Sequence, residues 1–163
     1  MTTKAYTKMD IKVADELFVL VALLQREHPE KEAFSVQEIL ERAKQENLTG
    51  SIRSGLKTHA YSHAVANLAA HGGKYRILYK TSSGKLRLLQ AGDDVHPERT
   101  QKIWPNPEEL PERFRPLIAW AKKQYGRQRT PSRRWLEGIF QMRGLGRKLW
   151  GGPGRGRLRQ PTT

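Results

Sequence analysis

Cysteine is absent from this chain of 163 residues. That excludes disulfide stapling, thiolate catalysis and cysteine-based zinc sites, leaving five histidines and the carboxylates as potential metal ligands or acid–base groups. Long apolar runs are missing too. The longest, residues 17–24, falls far short of the roughly 20 residues that span a bilayer, and residues 1–10 lack the apolar segment of a secretory signal. A cytoplasmic protein without a membrane partner is expected.

The third scarcity is of acid, and it is local. Thirty Lys and Arg face 16 Asp and Glu, a formal +14, but the excess is unevenly placed. Residues 1–46 carry 7 basic and 9 acidic side chains, and residues 93–121 carry 4 and 6. Between them, residues 47–92 hold 7 basic residues and no acid, and from Lys122 onward 12 basic residues stand against Glu137 alone. Two separate anion-facing regions are implied, with nucleic acid as the natural polyanion.

The length suits one domain with a real core plus extensions. Helical spacing of Ile11, Val13, Ala14, Leu17, Phe18, Val21 and Leu24 predicts a helix over 10–26, with Thr7 and Asp10 as candidate caps. Ser35-Val36-Gln37-Glu38 has the form of a capping box and opens a second helix through Glu46, with Asn47 to Gly50 as its stop. A third helix is predicted over 54–68, with Leu56, Ala60, Tyr61, Ala64, Val65 and Leu68 inward and Thr58, His59, Ser62 and His63 outward. After His71-Gly72-Gly73 the period changes to two, and Tyr75 to Lys80 and Lys85 to Leu88 read as a hairpin around Thr81-Ser82-Ser83-Gly84. A proline-rich crossing follows, packing Ile103 or Trp104 on the core. A fourth helix is predicted over 111–125, burying Phe114, Leu117, Ile118 and Trp120 or Ala121, with Pro116 marking a kink or the true start.

Helix, capped helix, turn, helix and hairpin is the element order of a winged helix-turn-helix, whose third helix enters the major groove. The fold class expected is therefore α+β, mainly helical. The predicted parts are a winged domain over 7–92, a crossing and helix over 93–126 packed on its core, a basic and aromatic interaction segment over 127–150, and a disordered tail over 151–163. A groove-facing helix must be free of carboxylates that phosphates would repel, and residues 47–92 meet that condition. Arg53, Lys57, Thr58, His59, Ser62, His63 and Asn67 are the candidate base-facing residues. Lys74, Arg76, Lys80, Lys85 and Arg87 are the candidate phosphate contacts.

Other chemistry finds little support. His59 and His63 have the spacing of two metal ligands on one helix face, but with no cysteine or acid nearby they read better as groove-facing or capping residues. Asp93, Asp94, His96 and Glu98 read as turn formers, and Gly144-Leu145-Gly146 follows a helix and lacks phosphate-loop spacing. No nucleophile, acid and base come together, so neither an enzyme nor a cofactor is expected.

Two resemblances add to this reading. Ile11-Lys12-Val13-Ala14-Asp15-Glu16, Arg26-Glu27-His28-Pro29, Phe34 to Leu40, His59 with His63 to Asn67, Lys74 to Tyr79, His96-Pro97-Glu98-Arg99 and Leu110 to Phe114 resemble an uncharacterised family of small bacterial and archaeal proteins. That resemblance implies one compact domain over about 11–125. Met142 to Trp150 is similar to the tail of prokaryotic antitoxins that accompany PIN-type ribonuclease toxins. It implies a DNA-binding module joined to a toxin-wrapping segment, here carrying Trp135, Ile139, Phe140 and Trp150. Where such antitoxins continue with acidic and aromatic residues, this chain continues Gly151-Gly152-Pro153-Gly154-Arg155-Gly156-Arg157. The expectation is a DNA-binding regulator, with an antitoxin-like protein or an RNA-binding protein, suited to the Arg- and Gly-rich tail, as alternatives. An oligomer is compatible with the sequence, which shows no heptad seam.

Overall fold

The first helix of the computed structural model, which describes residues 10–126, is α1 (Val13–Glu27). Its predicted caps do not open it: Lys12, in extended conformation, occupies the N-cap without a side-chain bond, and Thr7 lies outside the described residues. Val19, Leu20, Ala22 and Leu23 fill the circumference that the Leu17, Phe18, Val21 and Leu24 stripe leaves over. The helix is thus apolar on every side, and Ala14 to Gln25 are all buried. Asp15 and Glu16 are carried into the interior with it.

Ser35 and Glu38 form the predicted capping box. The Ser35 hydroxyl accepts from the Glu38 amide at 3.2 Å, and the Glu38 carboxylate accepts from the Ser35 amide at 2.8 Å. The helix they open, α2 (Val36–Glu46), buries Ile39 and Ala43 and ends at Asn47, whose φ of 47° suits asparagine better than most side chains.

The third helix departs from the prediction. Only α3 (Ser54–Thr58) is α-helical, and a single π turn, His59–His63, completes it, closed by the Ala64 amide on the His59 carbonyl at 3.0 Å. Residues 64–68 leave the helix because Val65 bridges Leu78 and the Ala66 amide bonds the Leu78 carbonyl at 2.7 Å. The wider turn also displaces the helical face, so Tyr61, predicted inward, is 54% exposed.

The hairpin pairs β1 (Leu78–Lys80) with β2 (Leu86–Leu88), with Leu78 opposite Leu88 and Lys80 opposite Leu86. Gly84, at φ 80°, turns the chain at its tip. Phe34, between α1 and α2, adds a bridge to Leu86 on the outer side of β2, with both backbone bonds at 2.8 Å. Leu86 and Leu88 face the core against α1.

The crossing wraps the remaining side of α1, where Trp104 meets Phe18 edge-on at 6.1 Å between ring centroids and Leu110 is fully buried. α4 (Arg115–Tyr125) starts at Pro116 in its first turn and does not kink there; it buries Leu117, Ile118 and Ala121, with Phe114 just before it. Buried Gln25 ties this layer together, accepting from the Leu88 amide at 2.9 Å and donating to the Tyr125 hydroxyl at 3.3 Å. The protein is thus α+β and mainly helical, with four helices and a two-stranded antiparallel hairpin among the described residues. Trp135, Ile139, Phe140 and Trp150 lie outside those residues.

Candidate nucleic-acid interface

The absence of acid over 47–92 makes α3 and the hairpin the candidate surface, but not every base in that stretch is free. Arg53 lies at the start of α3, where the buried carboxylate of Glu16 draws it back: Nε donates at 2.9 Å and a terminal nitrogen also bonds the same oxygen. Arg87 is buried, donates to both carboxylate oxygens of Asp93 at 2.7 and 2.8 Å, and stacks over Tyr79 at 4.4 Å. Its pKa is pushed up by the Asp93 bond against the opposing effect of burial. These two arginines, predicted to face bases and phosphates, are structural ion-pair members whose acids lie outside the acid-free stretch.

Asn67, another predicted base reader, holds the hairpin. Its amide donates to the Lys80 carbonyl and accepts from the Lys80 amide, both at 2.9 Å, as a strand would. His59 and His63 lie in the π turn with ring centroids 4.9 Å apart, and His59 Nδ1 bonds the Gly55 carbonyl at 2.9 Å. Burial lowers the His59 pKa, partly offset by the Gly55 bond, while His63 and Arg53 press it further down. Gly72 and Gly73 pack against His63 so closely that a Cβ on either would come within 3 Å of the His63 side chain, 2.8 and 2.9 Å respectively. The two histidines are thus seated inside the turn; no three metal-ligating side chains converge among the described residues.

Four lysines and one arginine keep their charge available. Lys57 on α3 and Lys74, Lys80 and Lys85 on and before the hairpin are exposed, and none is within ion-pair distance of a carboxylate among the described residues. Arg76 is half-buried, its Nε donating to the Gln101 carbonyl at 2.8 Å. Thr58 is exposed, and the Ser62 hydroxyl donates back to its carbonyl at 3.1 Å. A cleft of about 430 Å³ opens between the start of α2 at Val36 and Gln37, the Lys57 and Tyr61 side chains, and the hairpin tip at Ser83 and Lys85. Glu38, adjacent in sequence to the cleft-lining Gln37, is turned to Lys31 at 2.5 Å and back to Ser35, which hold its carboxyl at a pKa of about 2.

The sequence reading did not single out Arg99. Its guanidinium is buried and uses all five N–H donors on main-chain carbonyls: Nε on Leu68, one terminal nitrogen on His63 and Gly73, the other on Ser62 and Ala69, at 2.6 to 2.9 Å. It closes the free end of the third helix and fixes the loop to the hairpin, so it sets the register between the two parts of the candidate surface. In the sequence it appears only within His96-Pro97-Glu98-Arg99, a segment quoted for the family resemblance but given no role. Comparison with family models, curated proteins and solved structures finds no match to the chain.

Proposed function

We propose that the protein is a non-enzymatic nucleic-acid-binding protein, a DNA-binding regulator built as a winged helix. In this reading α3 with its π turn enters the major groove and the β1–β2 hairpin is the wing. The observation that carries it is that Lys57, Lys74, Lys80 and Lys85 are all exposed and none is paired with a carboxylate among the described residues, with Lys57 and Lys85 lining one cleft. The Phe34 bridge to Leu86 supports the topology, because it supplies the short strand between first and second helices that steadies a wing from its outer edge. Arg53, Arg87 and Asn67 serve this interface as scaffold, and exposed Thr58 on α3 is left for base contact.

The test is equilibrium binding of the full chain to mixed-sequence duplex DNA at several salt concentrations, with duplex RNA as competitor. Affinity is expected to fall steeply, by about a hundredfold or more between roughly 50 and 200 mM salt, since each neutralised phosphate releases counterions. Absence of duplex binding at the lowest salt refutes the reading, and preference for RNA moves it to the RNA-binding alternative.

A further inference from the structure

The cleft between α3 and the hairpin tip has a composition that neither part has alone. On one wall Lys57 Nζ lies 6.0 Å from the centroid of the Tyr61 ring, leaving an ammonium beside a half-exposed aromatic face. Opposite are Ser83, Gly84 and exposed Lys85 at the hairpin tip, and Gln37 on α2 adds a neutral amide. Among the described residues no carboxylate lines the cleft, although Glu41 accepts from the Gln37 amide at 3.2 Å. Tyr61, Ile52 and Val95 are the large apolar side chains left exposed among the described residues, and of these only Tyr61 lines it.

An exposed ring costs water contacts that the fold does not recover, and two unpaired ammonium groups facing one cleft repel each other unless an anion lies between them. A ligand that suits both carries an anionic group next to a flat or apolar one. A sugar-phosphate unit has this chemistry. It is also what the geometry of the proposed interface requires: if α3 lies in a groove and the hairpin reaches the flanking backbone, the strand bordering that groove runs between them.

We propose that this cleft seats one sugar-phosphate segment of a nucleic-acid strand, its phosphate facing Lys57 and Lys85 and its sugar against the Tyr61 ring. The inference rests on the nucleic-acid-binding reading and assigns it a specific gripping point. Tyr61 acts through its ring, so its hydroxyl is dispensable.

The experiment measures duplex affinity and its salt dependence for the full chain and for Lys57→Gln, Lys85→Gln, Tyr61→Ala and Tyr61→Phe. Lys12→Gln is the control: that exposed lysine, just before α1, pairs with Glu109 at 2.7 Å and does not line the cleft. Each cleft lysine variant is expected to reduce the salt slope by about one and to weaken binding at low salt. Tyr61→Ala is expected to weaken binding at least about threefold while leaving the slope unchanged, and Tyr61→Phe to bind as the parent. All these side chains are exposed, so thermal melts of the variants should match the parent and confirm that folding is intact. Parent binding with unchanged affinity and slope in Lys57→Gln, Lys85→Gln and Tyr61→Ala overturns the cleft assignment and leaves the broader reading standing. A parent chain that binds no duplex overturns both.

Discussion

Replacing Arg99 by methionine keeps the apolar stem and removes every donor from the buried guanidinium. Five carbonyls then lose this donor, Ser62 and His63 at the end of the π turn, Leu68 and Ala69 beyond it, and Gly73, of which Ser62 still accepts from the Val65 amide at 3.3 Å. A hydrogen bond to a charged group contributes about 1.5–3 kcal/mol net, but the five share one side chain, and water can reach the carbonyls near exposed Ala69 once the clasp opens. The cost is therefore far below the sum and close to that of breaking a buried polar network, about 3–5 kcal/mol. That is a large part of the 5–15 kcal/mol that holds an ordinary domain together. Arg99→Lys keeps the charge but offers three donors for five acceptors, and about 2 kcal/mol should go. Urea unfolding followed by far-UV circular dichroism reads both as a lower midpoint at unchanged slope, with methionine below lysine below the parent. A loss under about 1 kcal/mol for Arg99→Met would refute the clasp as the element that fixes the third helix against the loop.

Glu16→Ala should destabilise by about 2 kcal/mol in the same assay, because half-buried Arg53 loses its buried carboxylate; a neutral outcome would mean that Arg53 swings into solvent at no cost. Glu38, held at about 2 against an ordinary 4.5, favours folding above its unfolded value and loses that contribution as pH falls through 2. Unfolding midpoints measured between pH 5 and 2 should therefore drop with a component that Glu38→Gln abolishes; identical pH profiles for parent and variant would contradict the pairing. Arg87→Gln should lower thermal stability and leave the salt dependence of DNA binding unchanged, whereas Lys80→Gln should do the reverse; a reduced salt slope in Arg87→Gln would place that side chain at the phosphates after all.

The elements that were legible in the sequence are those whose causes are local. Ser35 and Glu38 lie three residues apart and cap their own helix, Gly84 takes the conformation its turn needs, and Pro116 begins the helix it would otherwise break. The third helix was misread beyond His59 because its end is decided elsewhere: Val65 is captured by Leu78, and the helical carbonyls are taken by Arg99, 36 and 37 residues on from His63 and Ser62. The same non-locality hid the true state of the candidate site. Absence of acid over 47–92 marked α3 and the hairpin as the candidate surface, but Glu16 reaches Arg53 from 37 residues away and Asp93 meets Arg87 from just past the stretch. Tyr61 escaped notice because one extra residue in a turn moves a side chain from the core to water, and periodicity assumes a constant turn.

The way Arg99 is satisfied has an effect at distances where no hydrogen bond operates. Arg53 and Arg87 sit against carboxylates, so each pair appears from afar as a dipole whose field dies quickly. Arg99 is held by peptide carbonyls and makes no ion pair among the described residues; the Glu98 carboxylate acts on it electrostatically without a direct bond, so its charge is less completely cancelled than theirs. If the proposed nucleic acid approaches this face, that charge, held in the interior behind the third helix, adds to the attraction it feels without touching a phosphate.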